Sequence, residues 1–182
     1  MISDDDIKIF GDKPLSEVDN GIENQSPLNE LTDKYIVNAK ELGKTVAERF
    51  IEDAEYISYT DESVDMEMIL QRRILLSFTA TVGFEQFCVN DTVGGIAQKS
   101  FIDTVKKKDY KIYNTSSDTG AFSFYYLAYR RGGEIDRRIG QTFAMLCAHD
   151  GDPVYQELGE ALYCWFLSIV RNASEQFGLL KA

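Results

Sequence analysis

The sequence predicts an all-α protein, a single domain of five to six helices around a buried central helix at about residues 65–88. Residues 74–84 carry no charge, whereas the flanking segments are heavily charged. A helix that is apolar on nearly every side must be covered by its neighbours. Apolar residues also recur every three or four positions through most of the chain. The only prolines, Pro14, Pro27 and Pro153, leave room for long helices.

Length and charge divide the 182 residues into two parts. The length fits one domain with a substantial core. The net charge is −11, and residues 1–26 contribute −5 of it through seven acids and two lysines. This segment is predicted to be a mostly unstructured acidic tail, in which residues 7–10 are either solvated or a docking peptide. Residues 27–182 are predicted to form the helical domain.

The same composition argues against several classes of partner and location. An acidic chain lacks the clustered cations that bind nucleic acid, and it suits an anionic membrane surface poorly. The uncharged run of eleven residues is shorter than the roughly 20 that cross a bilayer. No signal peptide is recognised, so a cytoplasmic location is expected. Cys88, Cys147 and Cys164 lie among apolar residues, which predicts buried free thiols.

The first helix is predicted to begin at Ser26 and Pro27, a serine N-cap followed by proline at the first helical position. Gly43 weakens its middle by about 1 kcal/mol relative to alanine and suggests a bend. Steps of three and four connect its apolar or small residues: Leu28, Leu31, Tyr35, Ala39, Leu42, Val46, Phe50, Ala54 and Ile57.

Capping residues predict where the later helices begin and end. Asn90 starts a third helix, whose lysines at 106–108 suit the negative end of the helix dipole better than a phosphate site. Asp152 and Pro153 start the last helix. A polar turn at 59–65 and a capping loop at 114–118 separate helices. The fourth and fifth helices are predicted at about 119–131, ended by a Gly-Gly pair, and at about 134–148.

Motifs for catalysis or metal binding are missing from the sequence. It holds one histidine, His149, and no paired His, Glu-x-x-His or Cys-x-x-Cys spacing. We interpret His149, Asp150 and Asp152 as a capped turn rather than a cation site. No serine elbow, phosphate loop or dinucleotide turn occurs. The expectation is therefore no metal, no cofactor and no catalytic residues, and the balance leans against an enzyme.

The strongest candidate for a binding site is the segment 120–140, which has five aromatic residues in eight positions and then two Arg-Arg pairs around a glycine turn. Four arginines can bind a carboxylate or phosphate bidentately, and tyrosines offer polar tips. The alternative is that the aromatics are core and the arginines cap carbonyls or pair with acids. The candidate ligand-binding residues are Tyr125, Tyr126, Tyr129, Arg130, Arg131, Arg137 and Arg138.

Glu85 joins these candidates because it follows eleven uncharged residues near the end of the central helix. If it is buried, it needs a cationic partner, and Arg72, Arg73, Arg130 and Arg131 are the candidates. Alternatively, it faces water where the helix emerges from the core.

Two hypotheses of function follow from the sequence. The first is a non-catalytic helical protein-interaction or regulatory protein that binds a protein partner or a second copy of itself. The second is a sensor or enzyme that binds a small anionic molecule in a pocket lined by tyrosines and arginines.

Overall fold

The computed structural model describes residues 27–59 and 65–181, with side chains described at 32–56 and 65–181. The acidic tail 1–26 and most of the turn at 59–65 lie outside the described residues. The described chain is all-α, as the sequence predicts, and contains seven helices. They are α1 (Pro27–Tyr59), α2 (Met66–Phe87), α3 (Asp91–Lys108), α4 (Tyr110–Ser116), α5 (Thr119–Arg130), α6 (Ile135–Leu146) and α7 (Pro153–Gln176).

The central helix of the prediction is α2. Asp65 caps it by accepting a hydrogen bond from the Glu67 amide at 2.9 Å. Helix α2 contacts each of the other six described helices. Every residue from 74 to 84 is buried except Ser77 and Thr81, which are partly exposed. The prediction of a buried central helix is confirmed.

Helices α1 and α3 lie side by side and run in the same direction. The Ser100 hydroxyl donates to the Lys40 carbonyl at 2.7 Å, and Lys108 pairs with Glu48 at 2.8 Å. Gly43 lies where the two backbones are closest, because a Cβ at this position would be 2.1 Å from the Ala97 carbonyl oxygen. Helix α1 continues through Gly43 without interruption, and the glycine permits this close packing.

An ion pair joins α1 to α2. The Arg72 guanidinium donates to both carboxylate oxygens of Asp53, at 2.9 and 2.6 Å. Only 15% of the Arg72 side chain and 11% of the Asp53 side chain are exposed. A bidentate ion pair that is largely buried fixes the relative position of the two helices. It adds little to stability, because the cost of desolvating the two charges offsets much of their attraction.

The two C-terminal helices also pack closely. A Cβ on Gly140 of α6 would lie 2.3 Å from the Gln156 carbonyl oxygen of α7. After α7 the chain returns to the junction of α2 and α3, where the Val89 amide donates to the Leu179 carbonyl at 2.9 Å and the Lys181 amide to the Phe87 carbonyl at 2.7 Å. This return buries Leu179 completely.

Two expectations from the sequence need correction. The helix count is seven rather than five to six, because Asp109 caps a short helix α4 whose amide at Ile112 donates to the Asp109 carboxylate. Two turns are too few to show a period in the sequence. Cys88 and Cys147 are buried free thiols, as predicted, but Cys164 is exposed on α7. None of the helices in the described ranges is both long and apolar enough to cross a membrane.

We predict that Gly43→Ala destabilises the fold. The new methyl group meets backbone atoms of α3, so the helices must separate, and overpacking of this kind costs about 1–3 kcal/mol. This cost exceeds the gain of up to about 1 kcal/mol in helix propensity. Urea unfolding measures the difference in the free energy of unfolding.

Gly95→Ala is the matched control for this prediction. Gly95 is inside α3, and a Cβ there meets nothing within 4 Å. Alanine at this position should stabilise the protein by up to about 1 kcal/mol. Equal stabilisation by both substitutions would contradict the close packing of α1 and α3.

Candidate functional site

A cleft of about 640 Å³ opens between α2, α3, α4 and α5. Each of these helices contributes to its wall, and the α4–α5 junction closes one side. The described residues that line it are Ser77, Thr81, Gln98, Phe101, Ile102, Val105, Tyr113, Ser116, Ser117, Asp118, Thr119, Phe122, Ser123, Tyr126 and Leu127.

The central helix reaches this cleft through its two partly exposed residues, Ser77 and Thr81. Residues four apart lie on the same side of a helix, so the two hydroxyl groups form a short polar strip on an otherwise apolar helix. The cleft is therefore the place where the apolar run 74–84 of α2 is not fully covered by other helices.

Apolar side chains form the walls next to this strip. Phe101 and Val105 of α3 are buried. Phe122 of α5 packs edge-on against Phe78, with the ring centroids 5.3 Å apart. Buried and aromatic walls of this kind hold a ligand by removing apolar surface from water.

The hydroxyl groups of the cleft offer hydrogen-bond acceptors. Thr81 donates to the Ser77 carbonyl at 3.2 Å, Ser117 to the Tyr113 carbonyl at 2.6 Å and Ser123 to the Thr119 carbonyl at 2.8 Å. Each hydroxyl has a single proton, so these oxygens keep lone pairs for a donor on a ligand.

Asp118 gives the cleft a negative charge. Its Oδ1 atom caps α5 by accepting from the Gly120 and Ala121 amides at 2.8 and 3.1 Å. Among the described residues that line the cleft, Asp118 is the only charged one. The lining is thus largely apolar with one carboxylate, while two cations contact its aromatic rings: Lys106 lies over Tyr113 and Arg130 over Tyr126.

The three candidate tyrosines occupy different environments. Tyr125 is completely buried and stacks on Phe78, with the ring centroids 5.6 Å apart. Burial, and then the nearby Cys147, raise the pKa of Tyr125 well above its usual range. Tyr129 is half-buried, and burial followed by the charge of Glu85 raises its pKa. Only Tyr126 lines the cleft, and 43% of it is exposed.

The four candidate arginines do not converge on one point. Arg130 lies over the Tyr126 ring, with its guanidinium carbon 5.7 Å from the centroid. Arg137 pairs with Glu134 at 3.2 Å on the surface. Arg138 donates to the Gly132 carbonyl and holds the glycine turn between α5 and α6. Arg131 is exposed at the C-terminal end of α5.

Glu85 is exposed to solvent at the end of the central helix. Within the part of the chain that the structure describes, no ion pair forms between Glu85 and an arginine. Arg72, one of the expected partners, is instead paired with Asp53. Of the two possibilities for Glu85, the structure shows the one in which its side chain faces water where the helix emerges from the core.

The turn between α6 and α7 is built as the sequence suggests. Asp152 caps α7 by accepting from the Val154 amide at 2.9 Å. The His149 ring stacks on Tyr155, with the centroids 3.8 Å apart. In residues 27–59 and 65–181 no three His, Cys, Asp or Glu side chains are grouped so that they could hold a metal ion.

Sequence reasoning missed the cleft but the sequence contains a signal for it. Ser77 and Thr81 are polar residues four apart in a run of apolar ones. Of the predicted capping loop 114–118, residues 114–116 form the end of α4, and Ser116, Ser117 and Asp118 line the cleft. The aromatic residues and arginines of 120–140 instead predicted a site along α5, but one face of this helix is buried in the core.

Comparisons with known proteins give no further information, since no protein-family model, curated protein or solved structure matches the chain. Any conclusion about function therefore depends on the geometry of the described residues alone.

Tyr125→Phe is predicted to stabilise the protein by about 1 kcal/mol. The Tyr125 hydroxyl is buried and has no hydrogen-bond partner among the described residues, and an unsatisfied buried hydroxyl costs about 1–3 kcal/mol. Thermal and urea unfolding measure the change. Tyr126→Phe is the control and should stay within about 0.5 kcal/mol because its side chain is exposed. A clear loss of stability in Tyr125→Phe would mean that the hydroxyl is hydrogen-bonded.

Thiol reactivity should separate the three cysteines. Burial raises the pKa of Cys88 to about 11 and that of Cys147 to about 12, so at about pH 8 fewer than about one in a thousand of either is a thiolate. Cys164 is exposed, although desolvation raises its pKa as well. A chromogenic disulfide reagent should titrate one thiol quickly in the native protein and three in denaturant. Cys164→Ser should abolish the fast phase. Fast reaction of two thiols would contradict the burial of Cys88 and Cys147.

Proposed function

We propose that the chain is a non-catalytic binding protein whose cleft between α2, α3, α4 and α5 holds a small, largely apolar molecule that is neutral or cationic and carries a hydrogen-bond donor. The cleft itself is the observation behind this proposal. Its volume of about 640 Å³ falls within the range of about 300–1,000 Å³ that is usual for small-molecule pockets.

The chemistry of the wall supports this class of ligand. Phe101, Val105 and Phe122 provide apolar surface. The Ser117 and Ser123 hydroxyls donate their protons to backbone carbonyls, so their oxygens favour a donor on the ligand. The Thr81 oxygen also accepts from the Gln98 side chain at 3.5 Å. The Asp118 carboxylate favours a positive charge. The described lining includes no lysine or arginine that could pair with the anionic ligand expected from the arginines, and the two nearby cations, Arg130 and Lys106, lie over the rings of Tyr126 and Tyr113.

A regulatory role suits this arrangement. Four consecutive helices, α2 to α5, form the cleft, so a bound ligand would contact all of them and stabilise their present packing. A cytoplasmic location remains part of the proposal, and the free buried thiols Cys88 and Cys147 agree with a reducing compartment.

The rim of the same cleft favours a second candidate, a protein partner whose apolar helix lies across it. Ile102 is 38% exposed, Tyr126 43% and Leu127 58%. Exposed apolar residues around a groove are typical of helix recognition. This candidate keeps the first hypothesis from the sequence, a helical protein-interaction protein.

Binding of Nile red, a neutral apolar dye, tests the first candidate. We expect saturable binding with one site per chain, accompanied by a rise in the melting temperature that depends on dye concentration. Ser123→Trp places an indole at the cleft, where it competes with the dye for the apolar walls. The affinity for the dye should fall by about tenfold or more, which corresponds to a loss of at least about 1.4 kcal/mol in binding free energy.

Ser168→Trp provides a matched control. Ser168 is likewise an exposed helical serine whose hydroxyl donates to a carbonyl of its own helix, here that of Trp165 at 2.6 Å. It does not line the cleft, so affinity for the dye should be unchanged. Equal loss in both variants, or dye binding that does not saturate, would contradict a specific site.

Leu127→Ser separates the two candidates. The substitution removes an exposed apolar side chain from the rim of the cleft but leaves the buried apolar walls in place. Small-molecule binding should change by less than about threefold, whereas a complex seen by light scattering in cell extract should be lost if a helix crosses the rim. A large complex that survives both Leu127→Ser and Ser123→Trp would exclude the cleft as its docking site.

A further inference from the structure

A groove lined by lysines follows the line of contact between α1 and α3, on a different face of α3 from the cleft. Its volume is about 630 Å³. Ile96 and Thr104 lie among its walls, together with the aliphatic stems of the lysines. The five lysines that line it are Lys40, Lys44, Lys99, Lys107 and Lys108.

This concentration of cations is unusual in a chain with a net charge of −11. Lys44 and Lys108 are paired with Glu41 and Glu48, at 3.7 and 2.8 Å. By contrast, Lys40, Lys99 and Lys107 form no ion pair with any described residue. Asp103 is the one acid among the described lining residues, so the groove carries excess positive charge.

The same chain contains a segment with the complementary chemistry. Residues 4–10 hold three aspartates, Asp4 to Asp6, three apolar residues, Ile7, Ile9 and Phe10, and one lysine, Lys8, so their net charge is −2 within a region 1–26 of charge −5. We propose that residues 4–10 bind the lysine groove of their own chain, with the aspartates against the free lysines and the apolar side chains against Ile96 and the lysine stems.

Chain length permits this contact. The described structure starts at Pro27, and Lys40 lies 13 positions further along α1, or about 20 Å. Residues 11–26 provide a linker of 16 residues. Such a linker spans about 20–24 Å as a random coil and about 50 Å when fully extended. The root-mean-square length thus matches the distance to the Lys40 end of the groove. The other end, where Lys108 pairs with Glu48, is about 32 Å from Pro27 along α1 and lies within reach of the extended linker.

Binding of this kind would have two consequences. It would cover the excess positive charge of α1 and α3 and reduce binding of other anions there. It would also be sensitive to salt, because each surface ion pair is weak and screened over about 10 Å at 0.1 M ionic strength.

Zero-length carbodiimide crosslinking of the full chain, followed by mass spectrometry, tests the proposal. Amide links are expected from Asp4, Asp5 or Asp6 to the groove lysines, and they should disappear in high salt. Lys40→Gln with Lys99→Gln removes two of the three free cations, and should lower the crosslinks at the remaining groove lysines by about fivefold.

The control variant is Lys34→Gln with Lys111→Gln, which changes two exposed lysines outside the groove. It should leave the crosslinks intact. Circular dichroism verifies that both variants are folded. Crosslinks spread over exposed lysines throughout the chain, or equally reduced in both variants, would overturn the proposal.

Isotope labelling identifies which chain supplies the segment. A mixture of ¹⁵N-labelled and unlabelled protein should yield crosslinked peptides that are wholly labelled or wholly unlabelled. Mixed pairs at half of the total would show that a second copy supplies the segment and would overturn the proposal of binding within one chain. Neither result depends on a ligand in the cleft between α2 and α5.

Discussion

The structure depends on keeping one apolar helix out of water. Helix α2 buries almost every side chain between residues 74 and 84, and each of the other described helices contacts it. Burying a large apolar side chain is worth about 1.5–3 kcal/mol, so the covering helices are held by the surface they remove from water. The buried Thr79 hydroxyl is satisfied within the helix, since it donates to the Leu75 carbonyl at 2.8 Å. The buried Gln71 side chain is only partly satisfied: its amide nitrogen donates to Glu67 at 3.0 Å, whereas its oxygen has no partner among the described residues.

Six helices can cover one only if some of them approach each other closely, and glycine makes this approach feasible. Gly43 lets α1 meet α3, and Gly140 lets α6 meet α7, with backbone atoms where a methyl group would otherwise be. The cover remains incomplete at Ser77 and Thr81. These residues need no apolar neighbour, so the cleft forms at the point where leaving α2 uncovered costs least.

Local features were predictable from the sequence because they depend on neighbours along the chain. The caps Asn90, Asp118 and Asp152 and the buried run 74–84 belong to this class. Tertiary features were not predictable in the same way. Nothing near Gly43 in the sequence shows that α3 lies against it, and composition alone cannot show that Tyr125 faces the core while Tyr126 faces a cleft. The sequence shows that Lys107 and Lys108 are at the end of a helix, where they favour the helix dipole. It does not show that they line a groove, because the groove depends on α1, which brings Lys40 and Lys44 beside them.

Helix α3 shows how one element can serve two chemistries. Its residues Phe101, Ile102 and Val105 face the cleft, whereas Lys99, Asp103 and Lys107 face the groove. The division follows the helical period, since positions three and four apart share a face and intermediate positions turn away. A change on one face therefore leaves the side chains of the other in place. The described lining of the cleft has Asp118 as its one charged residue, whereas five lysines and Asp103 line the groove.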